Sequence, residues 1–212
     1  MPRPVPTWLY HFTPIQHLAS IIEHGLSCDT GAAAGPLAVE VGNREIKEQR
    51  RRRAVPVGPR GVVADYVPFY FAPRSPMLYA IKMGKVPEYT GGMDPLVYLV
   101  TTADRLARIG LPMLFTDRNA VLATAYFTHK LADLDTLIDW PLMRATMWYN
   151  TPSEPDRRER RMAECLVHHQ VPWRAIEYVA TFSPARAAEA QTTLARFSQS
   201  VAVGTRGDWY FS

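Results

Sequence analysis

The chain has 212 residues, 47% of them hydrophobic and 21% charged, so it fits one domain with a normal core. Its formal net charge of +4 permits a polyanionic partner without establishing one. Two distant cysteines, Cys28 and Cys165, exclude a disulfide framework and favour a reducing compartment. No uncharged apolar run approaches the roughly 20 residues of a membrane span, and the first residues lack a signal-peptide core, so we expect a cytoplasmic protein.

Short strands and helices are predicted along the whole chain, in an irregular order. They are strand 7–12, helix 14–24, helix 44–53, strand 62–72, helix 77–83, strand 96–100, helix 102–109, strand 113–116, helix 157–162, strand 175–182, helix 183–197 and strands 201–203 and 209–211. Residues 27–43 are rich in glycine and alanine and are predicted to form a loop. Without a βαβ rhythm or an internal repeat, this order favours an α+β fold with a mostly antiparallel sheet.

Several residues mark the ends of these elements. Thr13 is predicted to be the N-cap of the first helix, with Pro14 at its first position and Gln16 completing a capping box. Gly25 is predicted to end that helix. Pro68 lies inside the following aromatic strand and predicts a sheet edge or a bulge, because proline donates no hydrogen bond.

Residues 117–155 form a long stretch without a clean period but with many aromatic side chains. Loops longer than about 15 residues are usually functional or disordered, and this composition is too apolar for disorder. We therefore expect a single domain over residues 1–212, with a substrate-binding loop and short helices inserted at about 117–155.

Glu164 stands between a run of arginines and the apolar run Cys165-Leu166-Val167. Glutamate is rarely buried without a partner, so Glu164 is a helix-surface charge, a paired structural charge or a site residue. His11 falls at the end of the first strand, just before a helix N-terminus that would favour an anion. A core histidine fits the same pattern.

Two arginine-rich blocks, residues 44–53 and 157–161, indicate either focused anion binding or two solvated helix faces. The sequence contains no Walker A, GxGxxG, HExxH or GxSxG motif. His168 and His169 do not predict a metal site, because adjacent strand residues face opposite ways and no partner has ligand spacing. Two classes remain: a transferase that binds a dianionic, aromatic cofactor such as NAD, and a non-catalytic module that binds nucleic acid through cations and stacking aromatics.

Several runs, in order along about residues 8–182, carry a resemblance to a known family. They are Tyr10-His11-Phe12-Thr13, Gly25-Leu26, Ile46-Lys47 with the arginines after it, Asp65-Tyr66-Val67-Pro68-Phe69-Tyr70-Phe71, Pro73-Arg74-Ser75-Pro76-Met77-Leu78-Tyr79, Asp139-Trp140 and Arg161-Met162-Ala163-Glu164-Cys165-Leu166-Val167. Together they resemble the DarT family, the toxins of DarT–DarG toxin–antitoxin pairs, and the runs at 65–71 and 73–79 are the most specific. The resemblance implies a compact ADP-ribosyltransferase (PARP-like) fold of split, mostly antiparallel sheets with flanking helices. It also implies transfer of ADP-ribose from NAD to thymine in single-stranded DNA.

The resemblance further implies roles for individual residues. Glu164 matches the family's catalytic glutamate, although Cys165 stands where the family usually has an aromatic residue. An arginine after Ile46-Lys47 matches the second catalytic residue, and spacing favours Arg50, with Arg51 as the alternative. The implied NAD-binding residues are His11, Phe12, Thr13, Gly25, Leu26, Arg50, Arg51, Tyr70 and Phe71. NAD is the expected co-substrate, no metal is expected, and the expected partners of a monomer are single-stranded DNA and a DarG-type macrodomain antitoxin.

The long insertion and the second arginine block are expected to contact DNA. The candidate residues are Tyr126, Trp148, Tyr149, Arg157, Arg158 and Arg160. Tyr70, Phe71 or Tyr79 either stack on the nicotinamide or belong to the core. The alternatives to thymine transfer are an RNA or protein acceptor and a non-catalytic single-stranded-DNA-binding module, and the group that accepts the thymine proton remains open.

Overall fold

The computed structural model describes residues 2–32, 39 and 41–211. Its strands are β1 (Trp8–Pro14), β2 (Leu26–Ser27), β3 (Tyr66–Tyr70), β4 (Leu96–Thr102), β5 (Met113–Thr116), β6 (Phe127–Thr128), β7 (Glu164–His168), β8 (Gln170–Val171), β9 (Tyr178–Thr181) and β10 (Ala202–Thr205). Its α-helices are α1 (Leu18–His24), α2 (Asp29–Ala32), α3 (Arg44–Arg52), α4 (Pro76–Lys82), α5 (Ala103–Arg108), α6 (Leu134–Leu137), α7 (Trp140–Arg144), α8 (Arg157–Arg160) and α9 (Pro184–Arg196). Short 3₁₀ turns cover Ile15–His17, Val63–Asp65, Leu131–Asp133, Trp173–Ala175 and Gly207–Trp209.

Within the described residues, eight strands form one sheet in the order β10-β9-β4-β1-β3-β7-β5-β6, and β2 pairs with β8 separately. Neighbouring strands of the large sheet are antiparallel except β9 and β10, which are parallel. Every residue of β4 is buried, so both faces of the sheet are covered at this point. The predicted α+β fold with a mostly antiparallel sheet is confirmed, and the order places the start of β7 beside the end of β3.

Local capping chemistry fixes the starts of three predicted helices. The side chains of Ser75, Thr102 and Ser183 each accept the backbone N–H of the residue three positions later. Pro76 and Pro184 take the first helical position, where a missing N–H costs nothing. The helices predicted to begin near residues 77, 102 and 183 are therefore confirmed.

The first helix begins later than the sequence predicts. Thr13 and Pro14 belong to β1, and α1 begins at Leu18 after one 3₁₀ turn, with no side-chain cap at its start. Thr13 pairs with Val97 in β4, so the sheet extends β1 through the expected capping box. Gly25 ends α1 as predicted, with a φ of +83° that suits glycine.

Pro68 lies in β3, which the sheet order places between β1 and β7, so β3 is not an edge strand and carries no bulge against β7; the predicted edge is present only locally, on the β1 side of Pro68. Alternate residues of an antiparallel pair donate no hydrogen bond to that partner. On its other side β3 is paired with β1 only at Tyr10 and Tyr70. A residue without an N–H is therefore tolerated here, and its carbonyl is available to the side chain of His11 (Nδ1 to O, 2.8 Å).

The last aromatic residues join the core instead of forming the predicted strand at 209–211. The backbone N–H groups of Trp209 and Tyr210 bond within the turn Gly207–Trp209 and its flank, so no sheet ladder is needed. The Tyr210 hydroxyl donates to the Leu96 carbonyl at 2.9 Å and holds this segment against β4. The strand predicted at 201–203 is present as β10.

Two long segments are predicted to be irregular, residues 27–43 as a loop and residues 117–155 as short helices with a binding loop. The first, 27–43, lies partly outside the described residues, and within them Ser27 belongs to β2 and Asp29–Ala32 is helical. The second, 117–155, contains β6, α6 and α7, which matches the expected short helices. Both segments reach the same cavity, as described next.

Candidate active site

Glu164 is the first residue of β7 and is only 2% exposed. Its Oε1 accepts a hydrogen bond from Arg50 Nη1 at 3.0 Å, and its Oε2 accepts the backbone N–H of Ala120 at 2.9 Å. Its own N–H donates to Thr116 Oγ1 at 3.2 Å. In the register of β3 and β7 it lies opposite Tyr70. The two carboxylate oxygens are therefore each held by a donor and the backbone is held by Thr116, which favours a site or a structural ion pair and rules out a surface charge.

Arg50 comes from the last turn of α3 and is 7% exposed. Besides Glu164, its guanidinium lies 3.5 Å from the carbonyls of Val63 and Tyr66, and its Nε lies 4.0 Å from the Asp29 carboxylate. Its neighbour Arg51 turns outward and pairs with Glu48 at 2.6 Å. The structure thus separates the two candidate arginines and places Arg50 against the carboxylate.

A cavity of about 660 Å³ opens in front of this ion pair. Its size is within the range of sites that bind nucleotide-sized ligands. The predicted site residues that line it are His11, Phe12, Thr13, Gly25, Leu26, Arg50, Tyr70 and Glu164. These residues come from β1, β2, β3, α3 and β7 and from the end of α1, so the sheet order brings together what the sequence separates by up to about 150 positions.

His11 faces this cavity with one ring nitrogen occupied. Its Nδ1 lies 2.8 Å from the Pro68 carbonyl, which only accepts, so Nδ1 carries the proton. Burial lowers the pKa of His11, and the Pro68 bond offsets this only in part. The neutral ring therefore keeps Nε2 as an acceptor. Thr13 lies beside it and contacts His17 Nδ1 at 3.1 Å.

Tyr70 lines the cavity next to the carboxylate, and its hydroxyl reaches Met77 Sδ at 3.7 Å. Burial, and secondarily the Glu164 charge, raises the pKa of Tyr70, so its hydroxyl stays protonated. Phe71 does not line the cavity: it is 6% exposed and packs on Phe115 and Trp140 in the core. Of the two neighbouring aromatics, Tyr70 alone belongs to the candidate site.

Two other predicted site residues lie outside this cavity. Arg51 is partly exposed on the outer face of α3. Tyr79 is 40% exposed and packs on Trp148 and Phe211, so it stacks on protein side chains. Neither side chain is positioned to contact a ligand beside Glu164.

The candidate DNA-binding residues fall into two groups. Trp148 is buried against Tyr79 and Phe211, while Arg157 and Arg160 are engaged by carboxylates from Glu154, Asp156 and Asp139. Tyr126 and Tyr149 are 60% and 59% exposed. Arg158 forms no ion pair with any described residue and lines both the main cavity and a smaller one of about 230 Å³. Of the six candidate DNA-binding residues, Tyr126, Tyr149 and Arg158 are therefore the three whose side chains are free to contact a ligand.

Sequence reasoning missed several residues of the site. Asp29 lines the cavity and pairs with Lys47 at 3.1 Å, and Asn119 and Met162 lie where the two cavities meet. No pattern in the sequence pointed to Asp29 as a site residue, because it lies in a glycine- and alanine-rich segment without a period. Lys47 could have been found from the sequence, because it lies three positions before Arg50 and so on the same face of helix α3.

Among the described residues, no group of three or more histidine, cysteine, aspartate or glutamate side chains is close enough to hold a metal ion. In the same part of the chain, no helix has the length and apolar character to cross a bilayer.

Comparisons with known proteins agree with this geometry. Residues 10–211 match the family described as ssDNA thymidine ADP-ribosyltransferase, DarT. A DNA ADP-ribosyl transferase of Thermus sp. (strain 2.9) is 40% identical over 210 residues, covering 98% of both chains. One of Escherichia coli O127:H6 (strain E2348/69 / EPEC) is 32% identical over 192 residues, covering 91% of this chain and 88% of that protein.

Solved structures give the same result. The Thermus sp. 2.9 DarT in complex with ADP-ribosylated ssDNA superposes with a TM-score of 0.93 at 39% identity, covering 100% of this chain and 99% of that chain. The same protein in complex with NAD+ superposes with a TM-score of 0.87 at 38% identity, covering 99% and 100%. The expected ADP-ribosyltransferase fold is confirmed, and the alternative of a non-catalytic module is not supported. The chain belongs to the DarT family of NAD-dependent, single-stranded-DNA thymidine ADP-ribosyltransferases.

Proposed function

We propose that Glu164 and Arg50 carry the transfer of ADP-ribose from NAD to a thymine base of single-stranded DNA in this protein. The observation that carries the proposal is the buried ion pair between them, 3.0 Å long, at the wall of the 660 Å³ cavity. A buried pair used only for stability gains little over apolar packing. The position of this pair at a ligand-sized cavity therefore favours a role in binding or catalysis over a role in stability.

The residues around the cavity fit NAD chemically. NAD supplies an ADP-ribose whose bond to nicotinamide can break with the electron pair leaving on the nicotinamide nitrogen. His11 Nε2 offers an acceptor for a ribose hydroxyl, since its Nδ1 is committed to the Pro68 carbonyl. Lys47 gives the cavity a cation that suits a pyrophosphate. Phe12, Leu26 and Tyr70 supply apolar and aromatic wall.

Glu164 stabilises the positive charge that develops on the ribose as the nicotinamide bond breaks. Its carboxylate is held by Arg50 and by the Ala120 N–H, so it need not reorganise during the reaction. Such preorganised electrostatic groups give the largest single contribution to many enzymatic rates, and removing one typically costs about 10²- to 10³-fold.

Arg50 acts on the acceptor. N3 is the ring nitrogen of thymidine that carries a proton, and it attacks the ribose carbon as that proton is lost to a base. A guanidinium stays protonated and cannot be that base. Arg50 instead stabilises the negative charge on the thymine ring, while Glu164 or water takes the proton. The new N3–ribose bond then replaces the nicotinamide bond.

DNA reaches the site in single-stranded form, because pairing hides N3 in a duplex. We propose that residues 117–155 are a substrate-binding insertion in a single domain. Its exposed Tyr126 and Tyr149 would stack bases, and the neighbouring Arg158 would contact a phosphate. Arg157 and Arg160 are not proposed to contact phosphates, because both form ion pairs with carboxylates of the protein.

We also propose a biological setting. The protein acts as a toxin in the cytoplasm, where buried, unpaired Cys28 and Cys165 remain reduced. A DarG-type macrodomain antitoxin removes the modification. The proposed partners of this monomer are therefore single-stranded DNA, NAD and the antitoxin.

The test is to incubate the protein with NAD and short single-stranded oligonucleotides of different base content, and to weigh the oligonucleotides by mass spectrometry. The expected result is a gain of one ADP-ribose on thymine-containing strands alone, and no gain with Glu164→Gln. A matched strand with uracil in place of thymine reports whether the methyl group matters, and a duplex of the same sequence should not react.

A gain on strands without thymine would contradict the assigned acceptor. A full gain with Glu164→Gln would contradict the role of the carboxylate. If no DNA strand gains mass although NAD binds, the acceptor is RNA or protein, and the same assay with RNA oligonucleotides and cell lysate distinguishes these two.

A further inference from the structure

The main cavity and the smaller one share four lining residues: Pro76, Asn119, Arg158 and Met162. Glu164 and Arg50 line only the larger cavity, whereas Leu122, Asn150 and Glu159 line only the smaller one. An acceptor base that enters through the smaller cavity must therefore pass these four residues to reach the ribose. Asn119 is the one uncharged polar side chain among the four.

Asn119 is 9% exposed, and a hydrogen bond to the backbone fixes the orientation of its side-chain amide. Its Oδ1 accepts the backbone N–H of Val121 at 3.2 Å, and its Nδ2 lies toward Met162, which lines both cavities. Among the described residues, the sole partner of Nδ2 is the thioether sulfur of Met162 at 4.0 Å, a weak acceptor. Buried N–H groups in proteins normally have an oxygen or nitrogen partner, and a donor left without one is costly.

The backbone on both sides of this side chain is fixed. The N–H of Asn119 bonds to the Glu159 carbonyl at 3.3 Å, and its carbonyl accepts from Leu122 at 3.1 Å. The next residue, Ala120, donates its N–H to Glu164 Oε2 at 2.9 Å. The donor Nδ2 is thus carried by the same rigid turn that positions the proposed catalytic carboxylate.

Thymine has a carbonyl group on each side of N3, so an N–H donor beside N3 meets an acceptor. At position 4 cytosine has an amino group instead of a carbonyl, so a donor placed there would meet a second donor and both would stay unpaired; at position 2 the two bases carry the same carbonyl. When N3 loses its proton, the negative charge spreads onto the two carbonyl oxygens. A donor at either oxygen then binds more strongly than it does to the neutral base, which lowers the barrier.

We infer that Asn119 is a specificity-determining residue whose side-chain N–H₂ donates to the C4 carbonyl oxygen, next to N3, of the acceptor thymine. The inference rests on the proposed function and names the group in that site that reads the base. A purely structural Asn119 would need only its Oδ1, which closes the turn onto Val121. The two roles use different atoms and can be separated.

Asn119→Asp makes this separation, since it keeps the oxygen for Val121 and replaces the donor with an acceptor. Asn119→Ala removes both. Transfer by each variant is measured under single-turnover conditions on oligonucleotides with one thymine, 2-thiothymine or 4-thiothymine, since sulfur is a poor acceptor. Binding of a non-hydrolysable NAD analogue and the thermal midpoint are measured alongside.

We expect Asn119→Asp to slow transfer to thymine by about 100-fold and Asn119→Ala by about 10- to 100-fold, the usual cost of a hydrogen bond to a charged group. Affinity for the NAD analogue should change by less than about threefold, since that contact is not made by Asn119. At the contacted position, sulfur should slow the wild type but add little to Asn119→Ala. Comparing ratios between the proteins cancels the altered N3 acidity of the thio bases.

The inference fails if both variants transfer at the wild-type rate. It also fails if each variant loses the same factor on all three bases, or loses NAD affinity and thermal stability in proportion, because Asn119 would then be structural. These results differ from failure of the proposed function, which would appear as no transfer to thymine by the wild type.

Discussion

The two arginine-rich blocks look alike in sequence, yet their buried members do different things. In the block that forms α3, Arg50 is 7% exposed and donates to the Glu164 carboxylate at a cavity wall. In the block that begins with α8, Arg161 is 5% exposed and donates to main-chain carbonyls of Leu142, Met143 and Pro73, at 2.6 to 2.9 Å. One buried cation faces a ligand site, and the other joins the α7 helix and the turn before α4.

This difference teaches that burial of a charge does not by itself mark a site. Burial lowers the pKa of Arg161 to about 10, and no carboxylate among the described residues pairs with it. It remains charged at neutral pH and is compensated by carbonyl dipoles. Arg50 differs in having a carboxylate partner and an open cavity beside it. A carboxylate partner and an adjacent cavity together distinguish Arg50, a candidate site residue, from Arg161, a structural residue.

The largest effect should come from the carboxylate itself. Glu164→Gln keeps the shape and the hydrogen bond from Ala120 but removes the charge that stabilises the ribose cation, so transfer should fall by about 10²- to 10³-fold or more. Mass spectrometry of a thymine oligonucleotide follows transfer, and fluorescence anisotropy follows DNA binding. Loss of DNA binding with retained transfer would refute the assigned role.

Arg50 and Arg51 provide the next comparison. Arg50→Lys should reduce transfer by about 100-fold, because an ammonium cannot contact the carboxylate and the base at once as a planar guanidinium can. Arg51→Lys is the matched control, and its rate should stay within about twofold, since the ion-pair partner of Arg51 among the described residues is the partly exposed Glu48. Equal losses in the two variants would remove the distinction that the structure draws between these neighbours.

The structural role of Arg161 should appear in stability. Arg161→Met keeps most of the side-chain volume but removes the guanidinium donor of three carbonyls, of which that of Leu142 still accepts the Ala145 N–H, so the free energy of unfolding should fall by about 2–4 kcal/mol. Urea denaturation measures this loss, with Arg158→Met as the control because Arg158 has no ion pair among the described residues. A change of less than about 0.5 kcal/mol, as for ordinary surface sites, would contradict the structural role.

Salt dependence should separate Arg158 from Arg157. Arg158→Ala should reduce the slope of log Kd for single-stranded DNA against log salt concentration by about 0.7, the value for one released phosphate contact. Arg157 is paired with Glu154 at 2.5 Å, so Arg157→Ala should leave the slope nearly unchanged. Titrations at several salt concentrations measure both slopes. A larger change for Arg157→Ala would show that its ion pair opens for DNA.

Local chemistry made part of this molecule predictable. Two kinds of feature depend on residues only three or four positions apart, so the sequence displays them directly. They are the helix caps at Ser75, Thr102 and Ser183 and the helical spacing of Ile46 and Arg50. The start of the first helix is predicted too early, because β1 pairs with the distant strand β4 through Thr13 and Pro14, where the capping box is expected.

The site was only partly predictable for the same reason. Glu164 and Arg50 are 114 positions apart, and the resemblance to the family, rather than any spacing, brought them together. Nothing local distinguishes Trp148, which is buried, from Tyr149, which is exposed. Asp29 and Asn119 lie in segments without a period, and their approach to the site follows from the sheet order alone.

The smallest expected effect concerns His11. Because burial lowers its pKa in the folded protein, the denatured chain takes up a proton first as pH falls below about 6.5. The stability that the neutral ring contributes is therefore fully present above that pH and is lost as pH falls through the lowered value. The difference in free energy of unfolding between wild type and His11→Gln should be constant from pH 7 to 8 and shrink toward pH 5. A flat difference over the whole range would contradict a buried neutral histidine.

The most direct test of the contrast between the two buried arginines is the single-turnover rate of transfer to a thymine oligonucleotide, measured for Arg50→Lys and Arg161→Lys at equal concentrations of folded protein. Arg50→Lys should lose about 100-fold with its urea midpoint nearly intact. Arg161→Lys should stay within about fivefold of the wild type although its midpoint falls. Equal losses of rate, or the larger loss in Arg161→Lys, would contradict the division between a cation that acts on the substrate and a cation that supports the fold.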